Sequence, residues 1–125
     1  MIFISKEHER RYFEAIDFAS EPDNDWLGAV YLITASERVF NALEPFIGDC
    51  YVDFDEVHFR AQNMFEVAIF NAAYDIYFGT DSITLSDLTF TDEIPDDALV
   101  AIANVLMYMR FGFDSGTAEV TELVA

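Results

Sequence analysis

The sequence predicts a mainly α-helical single domain: a compact bundle of about five helices around a central buried helix, with a minor β element as an option. Three observations carry this expectation. In the stretch from His58 to Gly79, Ala61, Phe65, Ala68, Ile69, Ala72 and Ile76 recur at helical spacing on one face. Met64, Val67, Phe70, Ala73, Tyr74 and Tyr77 carry apolar character round most of the rest, the mark of a helix enclosed by others. The chain of 125 residues is 53% hydrophobic and holds thirteen Phe and six Tyr, which is material for one core and excludes disorder.

The elements follow in order. Met1 to Ile4 is a short apolar lead, a strand or a hydrophobic staple. Ser5 is a good N-cap for a first helix over Lys6 to Ala19, with Glu7 in its first turn. Tyr12, Phe13 and Ile16 are expected to face inward, and Glu7 with Arg11 forms a favourable i,i+4 pair. Ser20 to Asn24 reads as a turn. Asp23 or Asn24 caps a second, strongly apolar helix from Asp25 to Ala35, with Trp26, Leu27, Val30, Tyr31 and Ile33. Ser36 caps a third, to Glu44, with Val39, Phe40 and Leu43 inside; Pro45 ends it, because proline disfavours helical geometry in the residue before it.

Phe46 to Val57 has two readings. Its alternation of Tyr51, Asp53 and Asp55 with Val52, Phe54 and Glu56 suits an edge strand. It equally suits an acidic loop in which Asp53 or Asp55 caps the central helix. Gly79 is a natural C-terminal residue for that helix, since it takes positive φ at no steric cost. In the loop from Gly79 to Asp92, the spaced Ile83, Leu85, Leu88 and Phe90 are expected to pin the chain to the core. Pro95 suits a first helical position. The helix after it runs to Phe111 with Leu99, Ile102, Val105, Leu106 and Met109 inside, and Gly112 ends it. Residues 1–113 then form the helical domain, and 114–125 an acidic, flexible or weakly stranded tail. No internal repeat is visible.

The charge balance is the feature that speaks to function. There are 24 acidic residues against six basic ones, a formal net charge of −18. Such a field opposes compaction at low salt and attracts basic partners. A nucleic-acid binder shows a basic patch, and this chain has none, so direct binding to nucleic acid or to an anionic membrane is excluded. Cys50 is the only cysteine, so no intrachain disulfide forms, in keeping with a reducing cytoplasm. The N-terminal apolar run is too short for a signal peptide, and no apolar run of about 18 residues exists to span a membrane.

Candidate chemistry is sparse. Asp53, Asp55 and Glu56, with Asp49 nearby, have the oxygen ligands for a hard cation, but an EF-hand loop needs a Gly and a Glu at positions where this chain has neither. His8 and His58 are not in a zinc-protease arrangement. Cys50, His58 and a carboxylate would make a nucleophilic triad only with a small-residue elbow, which is absent. The glycines are scattered and form no phosphate loop. Arg60 and Arg110 read as structural partners of carboxylates at the rim of the core. No catalytic residue, metal site or cofactor is expected.

The acidic runs are another matter. The carboxylates singled out for partner binding are Asp49, Asp53, Asp55, Glu56, Asp81, Asp87, Asp92, Glu93, Asp96 and Asp97. Duplex DNA carries one negative charge per roughly 1.7 Å of axis, and carboxylates on adjacent helical turns lie roughly 5–6 Å apart. A folded acidic surface therefore imitates a phosphate backbone and suits a basic protein partner such as a nucleic-acid enzyme. The plain alternative is a solubilising face.

Four pieces of the chain also resemble a known family. They are Phe3-Ile-Ser-Lys-Glu7-His8 followed by Tyr12-Phe13; Ala29 to Thr34; Phe65 to Gly79 with Asn71 and Tyr74; and Ala98 to Gly112, ending in Met-Arg-Phe-Gly. Together they resemble an uncharacterised family of small proteins from Gram-positive bacteria and their phages, a domain of unknown function. No activity comes with that resemblance, so no functional residue is carried over. It implies a context, a phage or prophage accessory protein, a class that includes inhibitors of host defence. The expectation is a non-enzymatic, acidic, DNA-mimic-like inhibitor. The alternatives are an immunity protein or antitoxin against a basic toxin, and a small-molecule-binding domain whose aromatic side chains line a pocket. Homo-oligomerisation is the expectation if Trp26, Tyr31 and the Phe-rich faces exceed what one core hides.

Overall fold

Side-chain caps set where the helices begin. The computed structural model describes residues 1–113, and the expected acidic tail lies outside them. Five helices are found there: α1 (Lys6–Ile16), α2 (Asn24–Ile33), α3 (Glu37–Leu43), α4 (Met64–Phe78) and α5 (Asp96–Phe111). The Ser5, Asp23 and Ser36 side chains accept from the backbone N–H of His8 at 3.0 Å, Trp26 at 2.8 Å and Val39 at 3.2 Å. Each such cap contributes about 1 kcal/mol.

α4 begins six residues later than its apolar pattern suggests, and neither Asp53 nor Asp55 caps it. Asn63 does, accepting from Glu66 N–H at 2.9 Å, while the Glu66 carboxylate reaches back to Gln62 N–H at 2.8 Å. This is a near relative of the capping box. The far end is as expected: Gly79 takes φ 70° and its N–H donates to the Asp75 carbonyl at 2.8 Å. α1 is shorter than expected, ending at Ile16 rather than Ala19. Pro95 stands one position outside α5, as its cap residue.

The bundle centre is α2 packed across α4 and α5. Trp26 and every residue from Ala29 to Ile33 have no exposed surface. Burying a large apolar side chain contributes about 1.5–3 kcal/mol, so this one helix supplies a major share of the core. The axes approach closely because residue 28 is glycine. A Cβ there would lie 2.9 Å from Ile76 Cγ2 and 3.1 Å from Met109 Sδ. α4 is less uniformly enclosed than its composition suggests: Ala68, Ile69, Ala72 and Ala73 are buried, but Met64, Tyr74 and Phe78 reach solvent.

α1 is fastened to α2 by buried polar groups. Arg11 does not pair with Glu7; its Nε donates to the Thr34 carbonyl at 2.8 Å, and Arg10 takes Glu7 at 2.9 Å instead. His8 accepts from Ile4 N–H at Nδ1 (3.2 Å) and donates from Nε2 to the Tyr31 carbonyl (2.7 Å). The lead segment is neither strand nor helix. It is a strap, with the Ile2 carbonyl accepting from Tyr31 Oη at 2.7 Å and the Ile2 N–H donating to the Tyr108 hydroxyl. Tyr12 is buried as expected, whereas Phe13 is half exposed.

The region between α3 and α4 holds the minor β element. β1 (Ile47–Gly48) and β2 (Tyr51–Val52) pair antiparallel, Ile47 opposite Val52 and Gly48 opposite Tyr51. Asp49 and Cys50 make the two-residue turn, with Cys50 at φ 67°. The Trp26 indole N–H donates to the Tyr51 carbonyl at 3.1 Å, which ties the hairpin to α2. Among the described residues, no helix is long and apolar enough to cross a membrane.

Candidate partner-binding surface

The ten singled-out carboxylates fall on two parts of the surface. Asp49, Asp53, Asp55 and Glu56 belong to the hairpin turn and the short 3-10 helix Phe54–Glu56 that follows it. Asp81, Asp87, Asp92, Glu93, Asp96 and Asp97 belong to the α4–α5 loop and the first turn of α5. All are exposed except Asp87, which is half-buried. Asp96 and Asp97 gain from the helix dipole. No hydrogen bond or ion pair among the described residues links the two groups.

The hairpin group is drawn toward the turn before α2. The Asp49 carboxylate accepts from Ser20 Oγ at 2.7 Å and Ser20 N–H at 3.1 Å. Those bonds hold its carboxyl below the usual range. Cys50 Sγ donates to the Glu21 carbonyl at 3.0 Å. Ser20 and Glu21, in the turn before α2, thus lie against the hairpin turn at Asp49 and Cys50.

The second group has a more elaborate scaffold, and its organiser is a residue the sequence reading passed over. The Asp75 carboxylate, near the end of α4, accepts from Thr80 Oγ1 (2.6 Å), Ser82 N–H (3.1 Å), Ser82 Oγ (2.7 Å) and Ile83 N–H (2.8 Å). Partial burial pushes its carboxyl up, but these hydrogen bonds outweigh it and hold the group below the usual range. The next turn closes reciprocally: Thr84 N–H donates to Asp87 Oδ2 at 3.0 Å and Asp87 N–H to Thr84 Oγ1 at 3.2 Å. The sequence signal was there, in an Asp followed by Thr80, Ser82 and Thr84 beyond a helix-ending glycine.

This loop does not lie flat on the core. Ile83 and Leu88 pack inward as expected, while Leu85 is 83% exposed and Phe90 56%. On α5, Leu106 was expected inside and is 46% exposed. Between α4, the loop and α5 runs a groove of about 450 Å³, whose lining includes Ile76, Ile83, Leu85, Ile102 and Leu106 together with the acidic Asp75 and Asp81.

The ion pairs lie elsewhere. Among the described residues the ion pairs are Arg10 with Glu7 and Glu14, and Arg38 with Glu66. None uses any of the ten carboxylates. Among the described residues, Arg60 and Arg110 do not pair with a carboxylate at the core rim as expected; both are exposed.

The other sites weighed from the sequence stay apart. Cys50 is on the hairpin, and desolvation first, then the adjacent Asp49, push its thiol up, against thiolate chemistry. His58 is exposed in the segment before α4. No group of three or more metal-ligating side chains is assembled among the described residues. The chain matches no family model, no curated protein and no solved structure.

Proposed function

We propose that this protein is an acidic, non-enzymatic inhibitor of phage or prophage type, which occupies the basic nucleic-acid-binding surface of a host or defence enzyme in the bacterial cytoplasm. The observation that supports this reading is the unpaired state of the ten carboxylates. Among the described residues the arginine ion pairs are spent on Glu7, Glu14 and Glu66, while the hairpin edge and the α4–α5 loop carry carboxylates without a cation partner. In such an arrangement electrostatics sets the encounter rate and the choice of partner, and salt weakens both.

The test is a pull-down with the tagged protein from host lysate at low salt, repeated at high salt and with added duplex DNA. Recovery of a nucleic-acid enzyme that both salt and DNA displace is the expected result. A partner held equally well under all three conditions, or none, overturns the reading. A small basic protein that resists DNA and whose toxicity is relieved by co-expression points instead to an immunity protein or antitoxin.

A further inference from the structure

We propose that the α4–α5 groove is the anchoring site for one basic amphipathic helix of the partner. This inference rests on the acidic-surface reading and adds to it the place where apolar contact is made. Charge alone steers an encounter, whereas residence requires a desolvated apolar centre inside a polar rim. The groove has that form. Its lining is mostly apolar, with Ile76, Ile83, Ile102 and Leu106; Leu85 is 83% exposed, and the acidic groups in the lining are Asp75 and Asp81. Asp87 follows one turn along the loop, fixed by Thr84.

No lining residue is basic. Asp96 and Asp97 stand in the first turn of α5, the helix that brings Ile102 and Leu106 to the groove. A second copy of this chain, carrying −18 itself, would bring acid against acid. Charge complementarity therefore selects a partner segment with an apolar stripe flanked by Lys or Arg. An α-helix supplies such a stripe as i, i+3, i+4, i+7 anchors, and basic helices are a common form of nucleic-acid-binding element. The Asp75 hydrogen bonds hold the loop wall in place before any partner arrives, which lowers the ordering cost of docking.

The test uses synthetic peptides of about 18 residues, long enough to be helical. One carries Leu at the stripe positions and Lys elsewhere, one has the same composition with the stripe scrambled, and one replaces every Lys by Glu. Affinity is read by fluorescence anisotropy, and the site by backbone amide NMR shifts. The striped Lys peptide is expected to bind about tenfold or more tighter than the scrambled one, a difference of about 1.4 kcal/mol or more. Its shifts are expected to centre on Ile76, Ile83 and Ile102. Leu85→Ser with Leu106→Ser should abolish that preference and keep the salt-dependent binding, and circular dichroism of the double variant checks that it is folded. Asp81→Asn with Asp87→Asn should weaken the salt dependence and keep the preference.

Equal binding of striped and scrambled peptides, or indifference to the two Leu substitutions, overturns the groove and leaves the acidic-surface reading standing. Absence of binding by either Lys peptide at low salt overturns both. Binding of the Glu peptide as tightly as the Lys peptide overturns the charge argument. Dimerisation in sedimentation runs that is lost in the Leu double variant overturns the heterologous partner in favour of a second copy.

Discussion

His8 shows how a single side chain converts burial into a pH dependence. Burial drives its imidazole down to about 4, against the stabilising bond to the Tyr31 carbonyl and with a further push from the Arg11 charge. The unfolded chain, with an ordinary histidine near 6.5, binds the proton over a window where the folded chain refuses it. Stability is therefore complete above about pH 6.5 and falls as pH drops toward 4. By about pH 5 the loss amounts to roughly 2 kcal/mol, and the full shift is worth about 3. Urea midpoints measured from about pH 7 to 5 should fall in the wild type and stay nearly flat in His8→Gln, at a lower overall value because the Ile4 and Tyr31 contacts are lost. A slope that survives in the variant assigns the effect to another group. The role of His8 was not legible in the sequence. A histidine in the first turn of a helix reads as part of a cap, and the partners that make it a buried staple, Ile4 and Tyr31, are fixed only when α1 lies on α2. The caps themselves were legible at Ser5, Asp23 and Ser36, since each needs only its own residue and the next three. Asn63 followed by Glu66 carried the same signal, but the apolar residues ahead of it masked the start of α4.

At the scale of elements, period and punctuation located all five helices, and what they left open was which faces are covered. Leu99 and Leu106 sit at core spacing on α5, yet they are 36% and 46% exposed. Helical spacing reports a face and not what packs on it. The same limit applies to α2, whose unusually close packing turns on one missing methyl group. Gly28→Ala places a Cβ against Ile76 Cγ2 and Met109 Sδ at 2.9 and 3.1 Å. Met109 has rotamers to spare, but the Ile76 methyl branches at Cβ and cannot swing away without moving α4. Overpacking of this kind costs about 1–3 kcal/mol, while the gain in helix propensity returns about 1. A net loss of about 1 kcal/mol is expected in urea denaturation, with a larger one for Gly28→Val, which adds bulk and has a smaller propensity gain. A more stable Gly28→Ala would mean that α4 and α5 are free to move apart.

At the scale of the whole molecule, the long-range electrostatic contribution is repulsion among its own carboxylates. A chain of this length folds to a radius of gyration of about 14 Å. At about 0.01 M salt the Debye length is about 30 Å, so every charge acts on every other; at about 0.15 M it is about 8 Å and only near neighbours interact. Added salt also screens the attractive pairs, but Arg10 with Glu7 and Glu14 is exposed, and exposed pairs contribute only about 0–1 kcal/mol. The Arg38–Glu66 pair, whose carboxylate is buried, is screened less. With −18 on the chain, relief of repulsion wins. Urea midpoints are expected to rise steadily from about 0.01 to 0.15 M sodium chloride, the reverse of a protein held by surface ion pairs. Urea is the denaturant to use, because guanidinium is itself a salt and would screen the effect under test. Sodium chloride and potassium chloride should act alike, and an uncharged osmolyte at equal osmolality should not reproduce the shift. A flat response would mean that the carboxylates are too far apart to repel, and a surface so dilute in charge could not stand in for a phosphate backbone either. Folding stability in salt and partner binding in salt are thus tied by one charge distribution, and they must move in opposite directions.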